Sequence, residues 1–363
     1  MEKMNRIRPI NRLISQRNLD AVLITDPSQL FYLIHFTGTS GVLLILTDSI
    51  YFLTDKRYMD RCANEIMKDI HVEIYQDNRM DTLISIFNKL AIKKLAILEN
   101  FITYSLIDNL QKSLPVLKIF PMEQALIPFI VRKTKKEIIE LTDSLKIVEQ
   151  GMEQTIAKLN EIETENEFSQ KLQVQILMKG ADENAFPPII AWERNSAYPH
   201  YKTGNEMIRG QGKLLIDAGA IYHGFCSDIT RMVYLGEPDE FFKKVYEMVR
   251  SAKNYAIEAI KPGVKIVDVV KIVCEYFSRQ GMIKNYLHAL GHGIGRTVHE
   301  FPRLSNNDDI YFEEGYVVTV EPGLYLEGWG GIRIEDTISV EKEQAIRLNT
   351  LNDHYFLLDV KRD

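Results

Sequence analysis

Cysteine is scarce in this chain of 363 residues: there are three, Cys62, Cys226 and Cys274. They lie far apart, their number is odd, and no Cys-x-x-Cys pair occurs. A disulfide framework and a zinc ribbon are therefore excluded, and a reducing, cytoplasmic setting fits best. Positive charge is not in excess either. Lys and Arg total 44 against 50 Asp and Glu, a net charge of −6, which argues against nucleic acid or an anionic membrane as partner. No long apolar run is present. The most apolar stretch, GVLLILTDSIYFL at 41–53, is broken by Thr47-Asp48-Ser49 and reads as a hairpin, not a membrane span. The opening MEKMNRIRPINRLISQRN has no apolar centre, so no signal peptide is expected.

What remains is an ordinary globular composition, 45% hydrophobic and 26% charged, on a chain long enough for two domains. Residues 1–122 alternate between strands (AVLIT, HVEIY, LAILE, LKIF) and helical segments, the pattern of a mixed α/β domain. Residues 123–135 show no clear period and read as a connection. Residues 136–363 begin with a long helix, followed by a second that Thr164-Glu165-Asn166-Glu167 would open as a capping box and Gly180 would end. Strands KLLID, MVYLG, YVVTV and IRIEDTISV then surround helical segments at 239–260 and 267–280, giving a helix-plus-sheet (α+β) domain.

The unusual chemistry lies in this second part. Asp217 ends a strand, and Asp228 follows eleven residues later at the next one. Glu321 and Glu335, fourteen residues apart, repeat the arrangement across a Gly-rich excursion. Hairpin geometry can bring each pair to one side. Each acid taken singly could be a solvated turn residue. Four that face each other would repel and raise one another's pKa values. Two divalent cations would neutralise them. Basic side chains could do so too, and Arg231 and Arg333 are the ones near in sequence.

The histidines His288, His292 and His299 in YLHALGHGIGRTVHEFP have helix-like spacings of four and seven. Glycines on both sides of His292 and a proline after His299 nevertheless favour extended backbone and close chain approach. His200, in NSAYPHY, precedes the Asp217 strand. His35, His71, His223 and His354 have no such company and read as bland.

Taken together, DAGAIYHGFCSDITR, LGHGIGRTVHEFP, VEPGLYLEGWGGIRIED and NSAYPH resemble the five-ligand site of the pita-bread metallopeptidases, in the Xaa-Pro aminopeptidase and prolidase branch. FTGTSGVLLILTDSIYFLTDKRY resembles the creatinase-type N-terminal domain of that branch. The resemblance implies two divalent ions, manganese above all, with cobalt, iron or zinc as alternatives. Asp217, Asp228, His292, Glu321 and Glu335 would hold them. It also implies Glu321 as proton acceptor, and His200 and His299 as contacts to the substrate carbonyl. His288 would line the proline pocket, and Arg333 would orient a ligating carboxylate. The implied reaction is release of an N-terminal residue preceding proline by a homodimer. A dipeptidase restricted to Xaa-Pro and a catalytically silent peptide- or protein-binding module are the alternatives. One departure stands out. Where the family has a small Ser-Gly step, this chain has Trp192-Glu193-Arg194, which bears on substrate preference unless those side chains point to solvent.

Overall fold

The structure, a computed structural model, describes residues 2–66, 68–76, 78–306 and 310–360, with side chains from residue 6 onward. The chain divides into two compact units, 1–132 and 133–363.

The first unit is a six-stranded sheet. Its strand order is His71–Tyr75, Ile50–Asp55, Val42–Ile45, Ala21–Ile24, Lys94–Ile97, Lys118–Pro121. The hairpin expected at 41–53 forms, and Val42–Ile45 runs antiparallel to both neighbours while the other pairs are parallel. Ala21, Leu23, Val42, Leu44 and Leu95 pack against Leu83, Phe87, Leu106 and Leu110 of the helices Arg79–Lys89 and Tyr104–Ser113. The alternate residues Val22, Ile24, Leu43 and Ile45 point to the opposite side and are also buried, which explains why these strands read as unbroken apolar runs.

The stretch expected as an irregular connection instead contains a helix, Glu123–Ile130. Pro128 is its sixth residue, so its missing N–H removes a single intrahelical bond. Burial of Leu126, Ile127 and Ile130 outweighs that loss. A complete capping box is found at Thr134 and Glu137, opening the helix Lys135–Ile156. At Thr164 it is only half present. The hydroxyl accepts from Glu167 N–H, but the Glu167 carboxylate accepts from Glu163, one residue earlier than the motif requires.

The second unit has two main sheets. One orders Phe356–Leu358, Ile229–Leu235, Gly212–Ala218 and Ile189–Trp192. The other orders Glu300–Leu304, Gly291–Gly293, Val317–Val320, Asp336–Val340 and Ala345–Arg347. Helices Lys135–Ile156 and Glu165–Met178 cover the first through Val148, Met152, Phe168 and Leu172. Helices Glu240–Ala259 and Ile266–Arg279 pack on each other and on the second.

The acidic pairs occupy equivalent places. Gly212–Ala218 and Ile229–Leu235 pair antiparallel and enclose the small hairpin Ala220–Tyr222 with Phe225–Cys226. Val317–Val320 and Asp336–Val340 also pair antiparallel and enclose the hairpin Gly323–Leu326 with Gly330–Arg333. The registers differ. Asp217 lies opposite Thr230, whereas continuing the second pair would set Glu321 opposite Glu335.

Candidate metal centre

His292 is the middle residue of the strand Gly291–Gly293, wedged between Glu300–Leu304 and Val317–Val320. A Cβ at Gly291 would collide with the Thr319 carbonyl, and one at Gly293 with the carbonyl of Phe301. The glycines are therefore there for close backbone approach, and no helix covers the histidine row. His292 Nδ1 lies 3.0 Å from the Gly293 carbonyl, an acceptor only, so Nδ1 carries the proton. Nε2 is thereby left with its lone pair, 3.3 Å from Glu321 Oε1 and 3.6 Å from Asp228 Oδ2. Burial lowers the His292 pKa to about 4, which keeps the ring neutral.

Asp228, His292 and Glu335 offer ligand atoms that all lie within 4.8 Å of one another. Asp228 and Glu335 have pKa values well above the carboxylate range, first through burial and then through the other acids: Glu335, Asp217 and Glu321 for Asp228, and Glu321 and Asp217 for Glu335. Burial raises Glu321 to about 7. Asp217 Oδ1 and Glu335 Oε1 are buried and accept no hydrogen bond. Two buried acceptors without donors, beside a neutral imidazole lone pair and mutually repelling carboxylates, are the environment a divalent cation completes. The donor set thus fits a metal site.

Arginine supplies only part of the neutralisation. Arg333 Nη2 donates to Asp217 Oδ2 at 2.6 Å. Arg231 turns away, to the carboxylate of Asp336 and the carbonyls of Thr230, Glu335 and Leu351. Asp336 also pairs with Lys253 and Arg347, so a buried ion network underlies the strand that presents Glu335.

Three partners have no sequence signal of their own. Thr230 accepts from Arg333 Nε (3.1 Å) and must therefore direct its proton to Glu335 Oε2 (2.8 Å). Thr319 contacts the His292 amide (3.1 Å) and Glu321 Oε1 (3.3 Å). Tyr325 accepts from Arg333 Nη1 at 2.8 Å and directs its own proton to His288 Nε2 at 2.8 Å. His288 Nδ1 then donates to the Ala289 carbonyl at 2.8 Å, so both its nitrogens are engaged. Burial and then Arg333 depress its pKa to about 4.

His299 is exposed, and its ring centre lies 4.3 Å from that of His292, edge to face. Its pKa is lowered by burial of part of the ring and by His200. His200 is exposed on the segment that follows the short turn Glu193–Ala197. Arg303 is exposed, opposite His292 on the neighbouring strand, and its charge bears on both His292 and His299. His223 sits at the surface against Glu140.

The bulky Trp192-Glu193-Arg194 step is an anchor for the most part. Trp192 is in the core. Glu193 has a φ of 50°, in the left-handed region, and its carboxylate accepts from the Lys213 amide and Nζ. Lys213 Nζ lies 4.1 Å from the centre of the Trp329 ring. Only Arg194 faces solvent fully.

Residues 140–342 match the model of metallopeptidase family M24, and residues 6–128 match that of the creatinase/prolidase N-terminal domain. The Xaa-Pro dipeptidase of Pyrococcus horikoshii is 31% identical over 96% of this chain and 98% of its own length. Among solved structures, an X-Pro aminopeptidase from Thermotoga maritima superposes with a TM-score of 0.85 at 31% identity, covering 95% of this chain and 99% of that one. An Xaa-Pro dipeptidase from Bacillus anthracis gives 0.91 at 29% identity, covering 98% and 100%.

Proposed function

Since the chain belongs to metallopeptidase family M24, and is accordingly a metal-dependent hydrolase with a creatinase-type N-terminal domain and a pita-bread catalytic domain, we propose that it is an Xaa-Pro aminopeptidase that cleaves between an N-terminal residue and a following proline. The relatives that carry Xaa-Pro names support the substrate class. The observation that carries the chemistry is the pair of orphaned buried oxygens, Asp217 Oδ1 and Glu335 Oε1, beside the neutral His292.

Asp217, Asp228, His292, Glu321 and Glu335 would hold two divalent ions. A carboxylate-rich set with one imidazole suits manganese best. Such ions supply a nucleophile at neutral pH and polarise the scissile carbonyl. Glu321 would take the proton of the nucleophile and pass it on, and the prolyl nitrogen, a secondary amine when it leaves, needs one. His299 and His200 would donate to the carbonyl oxygen as charge develops on it. Arg333 fixes Asp217 in place and Tyr325 through it, and His288, tied to Tyr325, gives the proline pocket a rigid wall. An Xaa-Pro bond has no N–H, so this site binds through the carbonyl and the ring rather than through a backbone ladder. The enzyme would act in the cytoplasm as a homodimer.

Arg303 favours a second reading. An exposed guanidinium beside His292 and His299 can capture the free carboxylate of a dipeptide, which would make the protein an Xaa-Pro dipeptidase. Rates on Gly-Pro and on Arg-Pro-Pro with manganese decide between them. Turnover of the tripeptide supports the aminopeptidase, and strict dipeptide preference overturns it. Glu321→Ala should abolish turnover. His299→Ala should lower kcat by roughly 10²-fold or more with manganese content unchanged. A silent binding module would bind no divalent ion when purified without chelator.

A further inference from the structure

Glu165, the first residue of the helix Glu165–Met178, is fully buried, yet its carboxylate has no part in the metal site. It receives four hydrogen bonds, none from a cation. Oε1 accepts from the Trp192 amide (2.6 Å) and Asn195 Nδ2 (2.9 Å), and Oε2 from the Tyr201 hydroxyl (2.8 Å) and the Gly204 amide (3.4 Å). Asn195 Nδ2 also reaches the Tyr201 hydroxyl at 2.9 Å, closing a ring. The donors come from one excursion of the chain, 192–204, and they bracket His200, whose neighbour Tyr201 is one of them.

A buried carboxylate costs several kcal/mol unless its oxygens are satisfied, so the loop cannot loosen without exposing that cost. The helix N-terminus favours the negative charge. The opposite side of the loop is held as well. Gly331 N–H donates to Ser196 Oγ at 2.8 Å, and Arg333 Nη1 to the Pro199 carbonyl at 3.3 Å, while Arg333 also grips Asp217. His200 is near enough to His288 and His299 for its charge to act on both.

We propose that Glu165 is a positioning residue for the reaction: it folds the 192–204 loop onto itself so that His200 stands at a fixed place beside His299. The proposal rests on the Xaa-Pro peptidase reading above, but one of its measurements is independent of turnover. Glu165→Ala, Glu165→Gln, His200→Ala and the Glu165→Ala/His200→Ala double variant are compared as full-length, manganese-loaded protein. Glu165→Ala is expected to lower kcat about tenfold or more, with KM within about threefold and metal content unchanged. Glu165→Gln, which keeps one acceptor oxygen, should recover part of the rate. On the His200→Ala background the Glu165 change should cost nothing further, which general destabilisation would not produce. Hydrogen exchange should accelerate at the Trp192 and Gly204 amides alone. An unchanged kcat, or losses that multiply in the double variant, overturns the proposal. Should Glu165→Ala not fold, Tyr201→Phe replaces it with the same expected non-additivity toward His200→Ala. If the wild type cleaves no Xaa-Pro peptide, the substrate reading fails. Exchange at Trp192 and Gly204 then decides the positioning role, and unchanged exchange rates in Glu165→Ala overturn it.

Discussion

Glu321 is a carboxyl that burial has prepared for a cation. With a pKa of about 7 it is mostly protonated at pH 6 and mostly ionised at pH 8. Metal loading must displace that proton at the lower pH and less of it at the higher, so apparent manganese affinity should rise with pH across this window. Calorimetry in two buffers of different ionisation heat should show more protons released at pH 6 than at pH 8, and equal release at both would contradict the assignment. His292 does not oppose the trend, because at about 4 it is neutral throughout. The two acidic pairs and a glycine-flanked histidine are visible in the text, and the resemblance to the pita-bread metallopeptidases joins them into one set of five. The sequence does not reveal Thr230, Thr319 or Tyr325. A hydroxyl on a strand is commonplace, and its partner is defined only when strands 105 residues apart meet, as Thr230 and Glu335 do. Arg231 shows the converse. Its closeness to Asp228 in sequence suggests a role beside the acids, but its guanidinium runs to Asp336 and the 351–352 carbonyls instead. The Trp192-Glu193-Arg194 step likewise turns out to be structural. A left-handed glutamate costs about 1–2 kcal/mol, and the Lys213 pairing offsets it.

Among the secondary elements, the short strand Gly291–Gly293 is the tightest constraint. Gly291→Ala would push its Cβ into the Thr319 carbonyl and force apart the strands that carry His292 and precede Glu321. A loss of about 1–3 kcal/mol is expected, with a larger proportional loss of manganese binding, measured by thermal melts with and without the ion. An alanine tolerated with full metal affinity would show that the backbones can separate freely. Periodicity finds the long helices and the apolar strands, but it misses short strands such as Ile189–Trp192, Gly291–Gly293 and Glu300–Leu304. It reads IRIEDTISV as one strand where Gly330–Arg333 and Asp336–Val340 are two. It fails at Glu123–Ile130, where Pro128 reads as a stop but tertiary burial of one helical face prevails. At Thr164 the motif is right about the N-cap and wrong about the return bond, since a one-residue slip in the preceding chain presents Glu163 to Glu167 instead.

On the scale of the molecule, the two units have separate cores. Lys133 ties the start of the second, its amide to the Gly315 carbonyl at 2.7 Å and its ammonium to Glu300 at 2.7 Å. A chain beginning at residue 131 is therefore expected to melt cooperatively and to bind manganese, readable by calorimetry. A fragment without a cooperative melt would mean that the second core is not self-sufficient. The candidate metal ligands span Asp217 to Glu335, and one of the two sheets is finished only when Phe356–Leu358 joins it alongside Ile229–Leu235. That ordering has a consequence for the life of the chain on the ribosome. A growing polypeptide lacks Glu335, the last candidate ligand, until nearly its whole length has been made, and a product terminated before it is expected to be inert. Release of the C-terminal segment from the ribosome, and not the earlier synthesis of the ligands, is then the event that completes this sheet.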